Sequence, residues 1–215
     1  MNVVVSGASR GIGRSIAEAF LSAGDRVFGL DVRPGAAEHP DYRHFICDVR
    51  DGDFPALPEI QIVISNAGTL READALEVNL NGAMRFAEHY TKSPDLRSVL
   101  FIASASARNG AEFPRYAASK AGLVGYMKNM ALTLAKRGVT CNSISPGGVI
   151  TESNRHILES ERLYAAVKAE TLLGKWAEPE EIAALALFLT KVNRSITGED
   201  ILIDNGEMLK SNFIW

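Results

Sequence analysis

What the sequence lacks narrows the problem first. It holds two cysteines, Cys47 and Cys141, in 215 residues. They have no paired metal-ligand spacing and are too few for a disulfide framework, so no metal is expected. Both read as small buried apolar groups in a reducing, cytoplasmic protein. No basic block or arginine-rich arm is present, and with 23 Lys+Arg against 26 Asp+Glu the formal net charge is -3. Such a chain is poorly equipped to neutralise a phosphate backbone, and no nucleic-acid partner is expected. Long apolar runs are missing too. Val3-Val4-Val5 is far too short for a signal segment or a membrane span and leads at once into a glycine-rich turn, so no membrane association is expected. There is no internal repeat, low-complexity tract or linker. With 47% hydrophobic residues, residues 1–215 suffice for a single domain with a sizeable core.

Present instead are short β-branched or aliphatic runs at residues 2–5, 26–30, 61–65, 98–103, 140–145 and 200–203, each reading as a buried strand. Between most of them lie alanine- and leucine-rich segments of helical period, at 13–23, 75–90, 116–136 and 179–190. The alternation predicts an α/β fold, a doubly wound parallel sheet in a three-layer α/β/α arrangement. Residues 50–59 carry Gly52, Pro55 and Pro58, which predicts a turn or a short helical stub rather than a full crossover helix.

The first strand runs into a helix through "SGASRGIG", with Gly7, Gly11 and Gly13 at the junction. Glycines there permit a tight turn and close backbone approach, so that free amides at the helix start can face a pyrophosphate, as in a Rossmann-like dinucleotide site. The next strand ends at Asp31, whose carboxylate can accept from adenosine ribose hydroxyls and would repel a ribose phosphate, favouring NAD. Arg10 and Arg33 pull towards NADP, since either could pair with that phosphate.

In "YAASK", Tyr116 and Lys120 stand one helical turn apart, so the ammonium can favour the ionised phenol. The glycine loop, "NAG" at Asn66 to Gly68, "VNLNG" with Asn79, the Tyr-Lys pair and "SPGGVIT" at Ser145 to Thr151 follow one another along the chain. So do "PEEIAALALFL" and "ITGEDILIDNG" near its end. In this order the motifs resemble those of the short-chain dehydrogenase/reductase family from Val3 to Gly206, with Ser6 where the family's loop has Thr. The segments at 50–59 and 69–75 are shorter than the family's usual ones.

The resemblance implies a catalytic set of Asn79, Ser104, Tyr116 and Lys120. It implies cofactor contacts from Gly7, Ser9, Arg10, Gly11, Ile12, Gly13, Asp31, Asp48, Val49, Asn66, Ala67, Gly68, Tyr116, Lys120, Pro146, Gly147, Val149 and Thr151. The family's serine closes the strand before the Tyr-Lys pair, where "FIASASARNG" offers Ser104 and, as the alternative, Ser106. By the same resemblance Lys120 binds the nicotinamide ribose and Asn79 holds a water that links Lys120 to solvent. Taken singly, Asn79 would equally satisfy a helix backbone, Ser104 a strand-end turn and Thr151 a helix cap.

The implied reaction interconverts a secondary alcohol and a ketone with NAD(H), Tyr116 being the general acid/base. The alternatives are an NADP-dependent carbonyl or 3-oxoacyl reductase and, from another class, a nucleotide-sensing protein of the same fold, whose mark would be a broken Ser/Tyr/Lys set. Residues 152–176 mix apolar and charged side chains in a way that suits a helical lid over a substrate pocket. A homodimer or homotetramer is the implied assembly, with a small-molecule alcohol or ketone as substrate.

Overall fold

A strand covered on both faces needs side chains that tolerate burial at successive positions. Five segments meet that demand: β1 (Asn2–Ser6), β2 (Arg26–Asp31), β4 (Ile62–Ser65), β5 (Ser98–Ile102) and β6 (Thr140–Pro146). With β3 (Tyr42–Ile46) and β7 (Asp200–Ile203) they form one seven-stranded parallel sheet in the order β3-β2-β1-β4-β5-β6-β7. These relationships come from a computed structural model that describes residues 1–35, 37–110 and 113–210.

Helices α1 (Gly11–Ser22) and α7 (Pro179–Leu187) cover one face, over a core that includes Ile16, Phe20, Ile182 and Ala186. On the other face lie α2 (Ala83–Tyr90) and α4 (Pro114–Leu134), burying Phe86, Leu123 and Met127 against Val63, Val99 and Phe101. The expected doubly wound α/β/α sheet is therefore the observed fold. The short helices α3 (Ser106–Asn109), α5 (Arg155–Leu158) and α6 (Glu161–Ala169) stand along the rim.

Two elements differ from expectation. Strand β3 is additional: Arg43 and His44 interrupt its apolar pattern, as an edge strand paired only with β2 allows. The helix expected at 75–90 begins with a π-helical stretch, Glu77–Gly82, before α2. Residues 50–59 form a turn and extended chain, as their glycine and prolines predict, and among the described residues neither connection flanking β3 contains a helix. In place of a crossover helix, Phe54 packs edge-on against Phe86 at 5.7 Å between ring centroids, and the Tyr90 hydroxyl donates to the Pro55 carbonyl at 2.9 Å.

Candidate active site

Strand order reverses between β1 and β4, the place where an open parallel sheet leaves a crevice beyond its carboxyl ends. The two strand ends are stapled there. The backbone N–H groups of Asn66 and Ala67 both donate to the Ser6 hydroxyl, at 3.0 and 3.1 Å, and the Asn66 amide donates to the carbonyls of Ser6 and Gly7. A hydroxyl at position 6 is what this staple needs, and Ser supplies it as Thr would.

At Gly7 and Gly13 the glycine loop has no room for side chains. A Cβ at Gly13 would lie 2.1 Å from the Gly7 carbonyl oxygen, and one at Gly7, itself at φ 68°, would lie 2.8 Å from the Ala67 Cα. Helix α1 starts behind the loop with no side chain capping it. Its free amides and positive dipole end are thus available to an anion.

Asp31 closes β2 beside this loop, its Oδ2 accepting from the Ser9 N–H and its Oδ1 from the Arg33 N–H, each at 3.0 Å. The Arg33 carbonyl accepts from the Ser9 hydroxyl at 3.1 Å and contacts His44 Nε2 at 2.8 Å, while Tyr42 Oη meets His44 Nδ1 at 2.9 Å. Burial and the nearby Asp31 charge push the Tyr42 phenol up to about 12. Sequence reasoning passed over Tyr42 and His44. The signal was Gly29, a glycine inside a strand, where a Cβ would lie 2.2 Å from Tyr42 Oη. Asp48 is held by Arg50, 2.6 Å away, whose hydrogen bond lowers its carboxyl pKa. Val49 is buried against Gly82.

At the Tyr-Lys pair Lys120 is buried, and its Nζ donates to the Ile102 carbonyl at 2.7 Å. Burial depresses the ammonium to about 8. Tyr116 lies in the first turn of α4, with Lys120 Nζ 5.9 Å from its ring centroid. Burial raises the phenol pKa, and a hydrogen bond with Ser104 opposes the rise. The lowering expected from Lys120 is not seen: burial dominates, and the opposing contribution comes from Ser104. Ser104 is the serine at the phenol, and the Ser106 N–H donates to its Oγ at 3.2 Å.

Asn79 spends its side chain on neighbouring protein. Its Oδ1 accepts from the Thr69 N–H at 2.7 Å, and its amide donates to the Thr69 carbonyl and the Ser119 hydroxyl. Gly68 lies between this amide and Lys120, with a hypothetical Cβ 3.3 Å from Asn79 Oδ1 and 3.5 Å from Lys120 Nζ.

Pro146 ends β6, and Gly147 and Gly148 follow. A Cβ at Gly148 would meet the Trp176 ring at 2.2 Å, a close approach that brings Trp176 into the site's wall without having been foreseen. Val149 forms an isolated bridge with Ala177, and the Thr151 side chain faces Gly11, a hypothetical Cβ there lying 3.4 Å from its Cγ2. Among residues 152–176 only Thr171 and Trp176 are buried, so α5 and α6 form a thin cover.

A model of the family described as Enoyl-(Acyl carrier protein) reductase matches residues 59–207. The 3-oxoacyl-[acyl-carrier-protein] reductase FabG of Salmonella typhimurium is 30% identical, the alignment covering 94% of this chain and 95% of that protein. D-threitol dehydrogenase of Mycolicibacterium smegmatis is 32% identical over 96% of this chain and 92% of its own. L-rhamnose 1-dehydrogenase (NADP(+)) of Thermoplasma acidophilum is 27% identical over 97% and 96%. Among solved structures, ligand-free aldohexose dehydrogenase of Thermoplasma acidophilum superposes with a TM-score of 0.90 at 26% identity, covering 100% of this chain and 96% of that one.

Proposed function

The chain belongs to the short-chain dehydrogenase/reductase family and is an oxidoreductase of CH–OH groups using NAD or NADP, and from that premise we propose that it interconverts a secondary alcohol and a ketone with NAD(H), Tyr116 carrying the proton. The observation that supports this most is the convergence of Tyr116, its Ser104 hydrogen bond and buried Lys120 on the crevice whose glycine cradle excludes side chains at Gly7 and Gly13. An intact set speaks against a non-catalytic sensor.

The cofactor would lie with its pyrophosphate on Ser9 to Gly13, its adenosine ribose at Asp31, its adenine near Asp48 and Val49, and its nicotinamide beside Asn66 to Gly68, Pro146, Gly147, Val149 and Thr151. When bound, it supplies the hydride acceptor or donor. In oxidation Tyr116 takes the alcohol proton, and in reduction it returns a proton to the carbonyl oxygen. Ser104 donates to that same oxygen and fixes its direction. To act as the base in oxidation Tyr116 must first lose its own proton, against the burial that raises its pKa; the Lys120 charge and the positive charge of oxidised nicotinamide would favour that anion, and the remaining Lys120 donors serve the nicotinamide ribose.

NAD is preferred on the strength of Asp31 at the end of β2. The second reading, an NADP-dependent carbonyl or 3-oxoacyl reductase, has two supports. Among the described residues no carboxylate pairs with the Arg10 or Arg33 side chain. Relatives are named for NADP and for 3-oxoacyl thioesters. The substrate is a polyol, an aldose or a 3-oxoacyl compound, the classes of those relatives, and the protein acts in the cytoplasm as a homodimer or homotetramer. Exposed Ala118, Ala121, Gly122 and Gly125 leave a smooth face on α4 that suits helix-on-helix assembly.

The deciding experiment follows absorbance of reduced nicotinamide with a panel of such compounds and both cofactors, for the wild type and Tyr116→Phe. The variant should bind cofactor normally and lose nearly all turnover. Near-normal turnover would overturn the assignment.

A further inference from the structure

Helix α4 begins without a cap of its own: Phe113 stands at the N-cap position and makes no side-chain cap hydrogen bond. Its first-turn donors can nevertheless be accounted for one by one. Pro114 has no N–H, and the Ala117 N–H returns to the Phe113 carbonyl at 2.9 Å. The two that remain belong to Arg115 and Tyr116, and both go to one side chain 43 and 44 residues away. Glu72 Oε2 accepts from the Arg115 N–H and Oε1 from the Tyr116 N–H, each at 3.1 Å.

Glu72 sits in the short segment between β4 and the π-helical stretch. Asn79 grips that segment at both the N–H and the carbonyl of Thr69, and the Asn79 amide also reaches the Ser119 hydroxyl, which in turn donates to the Tyr116 carbonyl at 2.7 Å. The backbone of Tyr116 is therefore held at both of its polar groups, the carbonyl through Ser119 and the N–H through Glu72. We propose that Glu72 is a positioning residue for the proton carrier: its carboxylate caps the catalytic helix from outside and sets where Tyr116 stands relative to Ser104 and the glycine crevice.

The charge matters as well as the reach. A carboxylate offers two acceptors matched to two adjacent N–H groups and complements the positive end of a 21-residue helix. An amide offers one acceptor and turns an NH2 group towards the second N–H. Glu72 touches no reacting atom, so its effect appears in the chemical step rather than in cofactor affinity.

The inference rests on Tyr116 as proton carrier, and the test separates the two. The full chain is prepared as Glu72→Ala, Glu72→Gln and Tyr116→Phe. Turnover is followed with ethyl acetoacetate or D-threitol as probe, whichever the wild type uses better, well below each variant's melting temperature. Cofactor dissociation constants come from NADH and NADPH fluorescence. A displacement of Tyr116 by a fraction of an ångström should cost Glu72→Ala about 10- to 100-fold in kcat. Its cofactor Kd and probe KM should stay within about twofold of the wild type, and Glu72→Gln should fall between the two in kcat. If Glu72→Ala does not fold, a drop in kcat of more than about twofold at unchanged Kd is required of Glu72→Gln. A kcat within about twofold of the wild type, or a loss of cofactor binding that matches the loss of rate, overturns the positioning role. An active Tyr116→Phe would instead overturn the underlying assignment.

Discussion

Lys120 is held at a cost. With its pKa depressed from 10.5 to about 8 by burial, the folded protein binds fewer protons there than the unfolded chain between those pH values. Stability from this group therefore rises as pH climbs from about 8 towards 10.5, and its penalty is fully present below that window. The penalty is on the order of 3 kcal/mol, partly offset by the hydrogen bond to the Ile102 carbonyl. Lys120→Met should accordingly stabilise the cofactor-free protein by about 1–3 kcal/mol at pH 7, with most of the advantage gone above the unfolded pKa of 10.5, while turnover collapses. Melting curves of both proteins at the two pH values check this. Asp31 carries a second prediction. Its carboxylate already accepts two backbone N–H groups and retains lone pairs for ribose hydroxyls. Asp31→Ser should shift kcat/KM towards NADP by about 10-fold or more, because a repulsion of a few kcal/mol disappears. An unchanged ratio would make Arg10 and Arg33 the governing groups. These residues were legible because each is tied to a fixed place in a motif. Glu72, Tyr42, His44 and Trp176 were not, since their partners lie far away in sequence or behind glycines whose reason shows only in three dimensions.

At the scale of elements, what the sequence displayed clearly was whatever is buried on both sides. The runs in β1, β4, β5 and β6 and the helical period of α1 and α4 are set by the same core contacts that hold them. The edge strand β3 escaped because burial no longer dictates its pattern: Tyr42, His44 and Phe45 are half-buried while Arg43 and Ile46 are exposed. The π-helical turn escaped because composition does not mark it; within it Asn79 binds the Thr69 backbone, a partner ten residues away. The glycine loop offers the sharpest test at this scale. Gly13→Ala would force a methyl to within 2.1 Å of a backbone carbonyl and 2.4 Å of the Asn66 amide, so α1 must move away from β1. The expected result is a loss of about 1–3 kcal/mol in stability together with loss of dinucleotide binding, read by thermal melting and fluorescence titration.

For the whole molecule, the smooth face of α4 continues to Leu132, which is 77% exposed. A partner helix laid along Ala118, Ala121, Gly122 and Gly125 would cover it. Light scattering at micromolar concentration should give a dimer or tetramer, and Gly125→Arg should reduce the mass, because no atom lies within 4 Å of a Cβ there to disturb the monomer. The two connections around β3 have a different consequence. Among the described residues they carry no helix, and Ile46 is 66% and Val32 59% exposed at the sheet's margin. That margin is the part of the sheet with least to lose by opening, so its amides should exchange with deuterium sooner than those of β1 or β5. If the adenosine half of the cofactor docks against Asp31 and Asp48, binding must quiet this opening first. Part of the intrinsic affinity is then spent on ordering β3, and saturating cofactor should slow exchange there more than anywhere else in the sheet.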